Sequence, residues 1–155
     1  MTGRVPPRPA SWDEYERLPE DVRREYIDGQ IIVTPFPTLR HSLTIVRLQP
    51  LLISALPPSW MALSHIGWKA GADEFGPDVA VVPADAMNDV RKLQKYARAG
   101  APRYWIVDPR DRTFLALVLV DGMYEVAAQL DDDNPVADLD TGAGTISVSL
   151  PDLLA

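Results

Sequence analysis

Apolar residues at Leu39, Leu43, Val46 and Leu48, with Leu51, Leu52 and Ala55 beyond, recur near helical spacing. They predict a helix from Thr38 to Leu56, and Pro50 inside it predicts a kink or a split. Val90, Leu93 and Ala97 form the apolar side of a second, basic amphipathic helix over Asp89 to Ala99, with Gly100 just past its end. Ser11-Trp12-Asp13-Glu14 is a capping-box pattern that starts a short helix reaching Leu18. Pro19 then suits the first turn of another helical segment through Arg24.

The remaining pattern is strand-like. Asp28-Gly29 lies between Tyr26-Ile27 and Ile31-Ile32-Val33, a hairpin signal, and Pro35 and Pro37 stop its second strand. Trp60 to Lys69 reads as one strand, Gly71 to Gly76 as a turn holding Asp73 and Glu74, and Pro77 to Pro83 as a short strand apolar on both faces. Arg103 to Asp108 (RYWIVD) reads as a buried strand. Asp121-Gly122 joins Thr113–Val120 to Met123–Ala128 in a second hairpin. Residues 131–144 read as an acidic loop, Thr145 to Leu150 as a last strand, and Pro151 as the start of a terminal helix. This order predicts an α/β or α+β domain: a mixed sheet flanked by helices, ending in a β-meander. Residues 1–10, rich in proline, read as a mobile lead-in, and 11–155 as one domain.

Composition narrows the chemistry. The 155 residues contain no cysteine, which excludes disulfides, thiolate metal sites and cysteine nucleophiles. There is no long apolar run and no hydrophobic signal core, so a cytoplasmic, non-membrane protein is expected. The net charge of −7 hides a strong segregation. Residues 91–112 carry 7 bases and 2 acids, whereas 113–155 carry 8 acids and no base. If DNA binds, Arg91, Lys95 and Arg98 are the expected contacts.

The two histidines offer little on their own. His41 falls in the first turn of the long helix, as a partly exposed or capping residue. His65 falls in an apolar strand and is expected to pack in the core. There is no nucleophile elbow, no phosphate loop and no dinucleotide fingerprint. Asp78 is more pointed. It follows a proline at the start of an apolar strand, where an acid needs a partner or a metal. A magnesium ion takes one or two carboxylates and keeps several waters, and a lysine such as Lys92 or Lys95 could stabilise charge developing beside it.

Three fragments, in order, carry a resemblance: Arg24-Glu25-Tyr26-Ile27-Asp28-Gly29 with Val33-Thr34-Pro35 and His41; Pro77 to Pro83; and Lys92 to Asp108 (KLQKYARAGAPRYWIVD). Together they resemble a restriction endonuclease family, long known as a domain of unknown function, within the PD-(D/E)XK nuclease superfamily. Gly144-Thr145-Ile146-Ser147 and Leu150-Pro151 suit its C-terminus. The resemblance implies a restriction-endonuclease-like sheet with a Mg2+ or Mn2+ site where central strands splay. By it, Asp78 matches the metal-binding aspartate, Lys92 the catalytic lysine, and Glu25 an accessory acid. The implied activity is metal-dependent hydrolysis of DNA.

The chain departs from the family in one large respect. Members place a glutamate-bearing strand between the Pro-Asp strand and the lysine helix, but here Pro83 runs through Ala84 to Asp89 directly into that helix, and no glutamate occurs between Glu74 and Glu125. Gln30 also stands where a glutamate is usual. Asp85 or Asp89 could replace the missing ligand only if the connection folds back toward Asp78. Weak or absent cleavage is therefore expected. The alternatives are an inactive nuclease-fold protein that binds DNA or a protein partner, and a structural homo-oligomer such as a homodimer pairing through exposed hairpins.

Overall fold

Ser11 forms a full capping box: its hydroxyl accepts from Glu14 N while the Glu14 carboxylate accepts from Ser11 N at 2.7 Å. A computed structural model describes residues 8–85 and 100–155. The box starts α1 (Trp12–Glu16), which buries Tyr15. No second helix follows. Residues 19–22 make a single turn closed by Val22 N on Pro19 O, and the Arg24 guanidinium donates to the carbonyls of Pro19 and Val22. One turn fixes several dihedrals for one hydrogen bond, and with Arg24 already committed to a strand it does not propagate.

That strand is β1 (Arg24–Ile27), paired antiparallel with β2 (Gln30–Val33). The turn between them has φ of 51° at Asp28 and 71° at Gly29. Two successive positive values are the mark of a type I′ turn, which Asp-Gly satisfies at low cost. Thr38 caps α2 (Leu39–Ala55), accepting from His41 N at 3.3 Å. The helix is continuous through Pro50 rather than split. Proline leaves the Val46 carbonyl without its i+4 donor, and Val46 lies on the solvent side, where water can serve that carbonyl. The core takes Thr44, Leu48 and Leu52, the face opposite the Leu39–Leu43–Val46 stripe that marks the helix in the sequence.

Residues 60–70 form two strands, β3 (Trp60–Ser64) and β4 (Trp68–Ala70). His65, at φ 57°, breaks them apart. The left-handed backbone turns its side chain outward, so His65 is exposed rather than packed in the core. Only Gly71 and Ala72 form a turn. Asp73 to Phe75 is a strand, β5 (Asp73–Phe75), which bridges β1 and β4 so that the first sheet runs β2-β1-β5-β4. β6 (Val79–Pro83) pairs with β3 from Trp60↔Pro83 to Ser64↔Val79.

β7 (Arg103–Asp108), β8 (Thr113–Val120) and β9 (Met123–Leu130) form an antiparallel meander. β7 is not buried on both faces: Tyr104 and Ile106 are exposed while Trp105 and Val107 pack on the core. The 131–144 segment contains a strand. β10 (Val136–Asp140) pairs along its whole length with β11 (Thr145–Ser149). Its acids fall at alternate positions, so Asp138 and Asp140 face solvent while Leu139 is buried. Ser149 caps α3 (Leu150–Leu154).

One apolar cluster joins these pieces: Leu48 and Leu52 of α2, Phe114 and Ala116 of β8, Leu130, Leu139, Ile146, Val148, and Leu150 and Leu153 of α3. Val79 and Val81 of β6 and Trp105 and Val107 of β7 pack against it. The class is α+β, and every described ladder is antiparallel. Asp78's strand and the RYWIVD strand belong to separate ladders among the described residues, linked through this core. The Asp89–Ala99 helix expectation lies outside the described residues.

Candidate functional site

Asp78 sits between Pro77 and the first residue of β6, and its main-chain carbonyl accepts from His65 N at 3.4 Å. Its carboxylate is reached from two directions. Arg23, just before β1, donates from Nη2 to Asp78 Oδ1 at 2.5 Å. Arg23 is itself anchored through its carbonyl, which accepts from Thr34 N at 3.0 Å. From the other side, the Thr38 cap sets the first turn of α2 so that His41 Nε2 lies 3.1 Å from the same oxygen. The imidazole makes a close polar contact there without the alignment of a hydrogen bond. All three side chains remain about one-third exposed, although His41 Nε2 itself is buried.

These contacts set the charge of Asp78. Partial burial raises its pKa, but the hydrogen bond from Arg23 and the proximity of His41 outweigh burial and hold it below its ordinary value of 3.8. Glu25 is brought to the same end of the fold. It lies on β1, and its Oε1 accepts from Gly76 N at 2.8 Å, two residues before Asp78. A side chain at Gly76 would come within 3.8 Å of that oxygen. Glu74 lies one strand over, paired with Tyr26 and Lys69. Nearby, burial raises the Tyr15 phenol, with Glu74 adding to the effect.

The structure thus brings Asp78 and Glu25 to one region and adds Arg23, which the sequence reading missed. The signal was indirect: a half-buried aspartate needs a cation, but only the tertiary fold selects one 55 residues away. Asp85 stands past the other end of β6. The five residues of β6 between them run extended over roughly 16 Å, so Asp85 does not fold back to Asp78. Lys92, Asp89, Arg91, Lys95 and Arg98 lie outside the described residues. Of the described bases in the 91–112 stretch, Arg103 pairs with Asp140 and Arg112 with Asp132.

As placed, the described side chains do not fit a divalent cation. Asp78 Oδ1 already serves Arg23, and the guanidinium charge beside the carboxylate disfavours a second cation there. No group of three or more histidine, aspartate or glutamate side chains is placed to hold a metal among the described residues. No described helix is long and apolar enough to cross a membrane.

Comparison with known proteins agrees with this fold. The sequence profile of the Uma2 family, described as "Putative restriction endonuclease", matches residues 12–92 and 83–149. The two matches overlap at residues 83–92. The fold is similar to the crystal structure of a "putative nuclease belonging to DUF820" from Anabaena variabilis, with a TM-score of 0.67 and 20% identity over 92% of this chain and 96% of that one. No protein of curated function matches the sequence.

Proposed function

The chain belongs to the Uma2 restriction endonuclease family, and from that premise we propose that it is a nuclease-type protein that engages DNA, with metal-dependent hydrolysis suppressed at Asp78. One observation carries the second half: one oxygen of the Asp78 carboxylate is held at 2.5 Å by Arg23, whose charge opposes a cation beside it, and is approached by His41 at 3.1 Å. The first half rests on the family and on charge. Residues 91–112 are the strongly basic stretch of an otherwise acidic chain, and phosphate contacts from such a stretch supply sequence-independent affinity. Arg91, Lys95 and Arg98 are the proposed contacts.

The test is DNA binding by fluorescence anisotropy across a salt series. The wild-type chain should bind duplex DNA with a steep salt dependence. Arg91→Ala with Arg98→Ala should lower the slope of log K against log salt by about 1.8, two phosphate contacts' worth. Unchanged slope with retained binding would place the interface elsewhere, and no binding at low salt would remove DNA as the ligand.

Glu25 favours a second reading, in which the same site loads Mg2+ or Mn2+ and cleaves DNA. Its carboxylate lies at Gly76, on the Asp78 side of the fold. In that reading Asp78 and Glu25 hold the ion, Lys92 assists, and Arg23 must first leave Asp78. When bound, such an ion supplies a Lewis acid and an activated water.

A further inference from the structure

Successive side chains of β1 serve two different parts of the fold. Arg24 and Tyr26 turn toward α1: the Arg24 guanidinium lies 4.9 Å over the Tyr15 ring, and the rings of Tyr26 and Trp12 meet edge to face at 5.4 Å. Arg23 and Glu25 turn the other way, toward the Gly76–Pro77–Asp78 link that carries the chain from β5 to β6. Thr34 N on Arg23 O extends the β1–β2 register by one pair, so Arg23 keeps the alternation of the strand. Arg23 holds the Asp78 carboxylate at 2.5 Å, and Glu25 Oε1 accepts from Gly76 N at 2.8 Å. The two contacts are in register. Two residues forward along β1 is two residues back along the link, the antiparallel sense in which β1 and β5 pair at Tyr26↔Glu74.

We propose that Glu25 is a positioning residue for Asp78. By holding the Gly76 amide it clamps one end of the link while Arg23 holds the other, and the clamp presents the Asp78 carboxylate to Arg23 and His41. The inference rests on the reading of Asp78 given above, because a carboxylate kept on Arg23 is one withheld from an ion. Two features support it. The Gly76 amide is the link's firmer main-chain anchor: Pro77 has no N–H to donate, and the Asp78 carbonyl meets His65 N only at 3.4 Å. A Cβ on Gly76 would stand 3.8 Å from Glu25 Oε1, an ordinary contact. The glycine is therefore not there to make room, and its N–H is what Glu25 uses. Arg23 is bonded to Asp78 and not to Glu25, so Glu25 reaches the ion pair through the link.

Hydrogen exchange with water, read by NMR on the full chain with neither metal nor DNA added, tests the clamp, and whether the chain binds or cuts DNA does not enter the result. In the wild type the Gly76 amide and the Arg23 Nη protons should exchange at least ~10-fold more slowly than in an unstructured peptide. Glu25→Ala should speed both about tenfold, the order of one net hydrogen bond. Glu25→Gln keeps an acceptor oxygen without the charge and should hold both within about threefold of the wild type. An Arg23 that keeps its wild-type rate in Glu25→Ala would reduce Glu25 to a local tie at Gly76 and overturn the proposal. Glu25→Gln matching Glu25→Ala at both sites would mean that the carboxylate acts by its charge, and a Gly76 amide unprotected in the wild type would mean that the tie does not form; either result also overturns it. If Glu25→Ala does not fold, the wild type and Glu25→Gln decide: slow exchange at both sites in both proteins upholds the clamp, and fast exchange at either site overturns it.

Discussion

Arg23 and Asp78 stand 55 residues apart in the chain and 2.5 Å apart in the fold, guanidinium to carboxylate. The pair closes the start of β1 onto the start of β6 and sets a fixed positive charge against one oxygen of the carboxylate. Removing the arginine should therefore expose the carboxylate. Arg23→Ala is expected to bind manganese about tenfold or more tightly than the wild-type chain, which should show little or no heat in calorimetric titration. Equal titrations for the two proteins would mean that Arg23 does not compete for the site.

The same pair links stability to pH. Asp78 titrates below its ordinary value of 3.8 in the folded chain, so the unfolded chain takes up protons first as the solution is acidified. The stabilisation is complete above the ordinary carboxylate range and is lost as the pH falls through the folded value. Asp78→Asn should therefore shrink the difference in Tm between pH 7 and pH 3. Part of the wild-type dependence should survive, because Asp108 and Asp140 are also lowered, chiefly by backbone N–H groups of Asp111 and Gly142 respectively. Identical pH profiles would contradict the assignment.

Phe114 is fully buried at the point where β8 meets the terminal strands and α3, with its ring 5.5 Å from that of Trp105. Phe114→Ala should cost about 3–5 kcal/mol in urea unfolding. A loss below 1 kcal/mol would mean that the cluster is not the centre of the fold.

Gly142 turns the β10–β11 hairpin at φ 84°, and a Cβ there would lie 2.7 Å from Nη1 of Arg103, whose Nη2 pairs with Asp140. The arginine's end can move, but the left-handed backbone cannot relax. Gly142→Ala is expected to destabilise by about 1–2 kcal/mol, measurable by chemical denaturation. Neutrality would mean that the turn changes its conformation.

Much of the scaffold was legible where local chemistry decides. Asp28-Gly29 and Asp121-Gly122 specify two-residue hairpins, and in both turns the two residues have positive φ. Ser11 with Glu14 specifies a helix start. Where tertiary pairing decides, the sequence misleads. β10 reads as a loop because every second residue from Val136 is exposed and two of these are aspartates, yet Leu139 and the full ladder to β11 make it a strand. β5 has three residues, too few for a periodic signal. Spacing marks α2, but not which of its two stripes the core takes. At the site, Pro77-Asp78 and His41 stand out by type and place, whereas Arg23 is one of two adjacent arginines and only the fold distinguishes it: Arg24 turns to the carbonyls of Pro19 and Val22.

The proposed suppression of hydrolysis requires that Asp78 be held by Arg23 rather than by a catalytic ion. Cleavage of supercoiled plasmid in magnesium and in manganese, by the unaltered chain and by Asp78→Ala side by side, tests it most directly. Weak or no metal-dependent nicking by the unaltered chain is expected, and none by Asp78→Ala. Efficient metal-dependent cleavage by the unaltered chain, lost in Asp78→Ala, would contradict it.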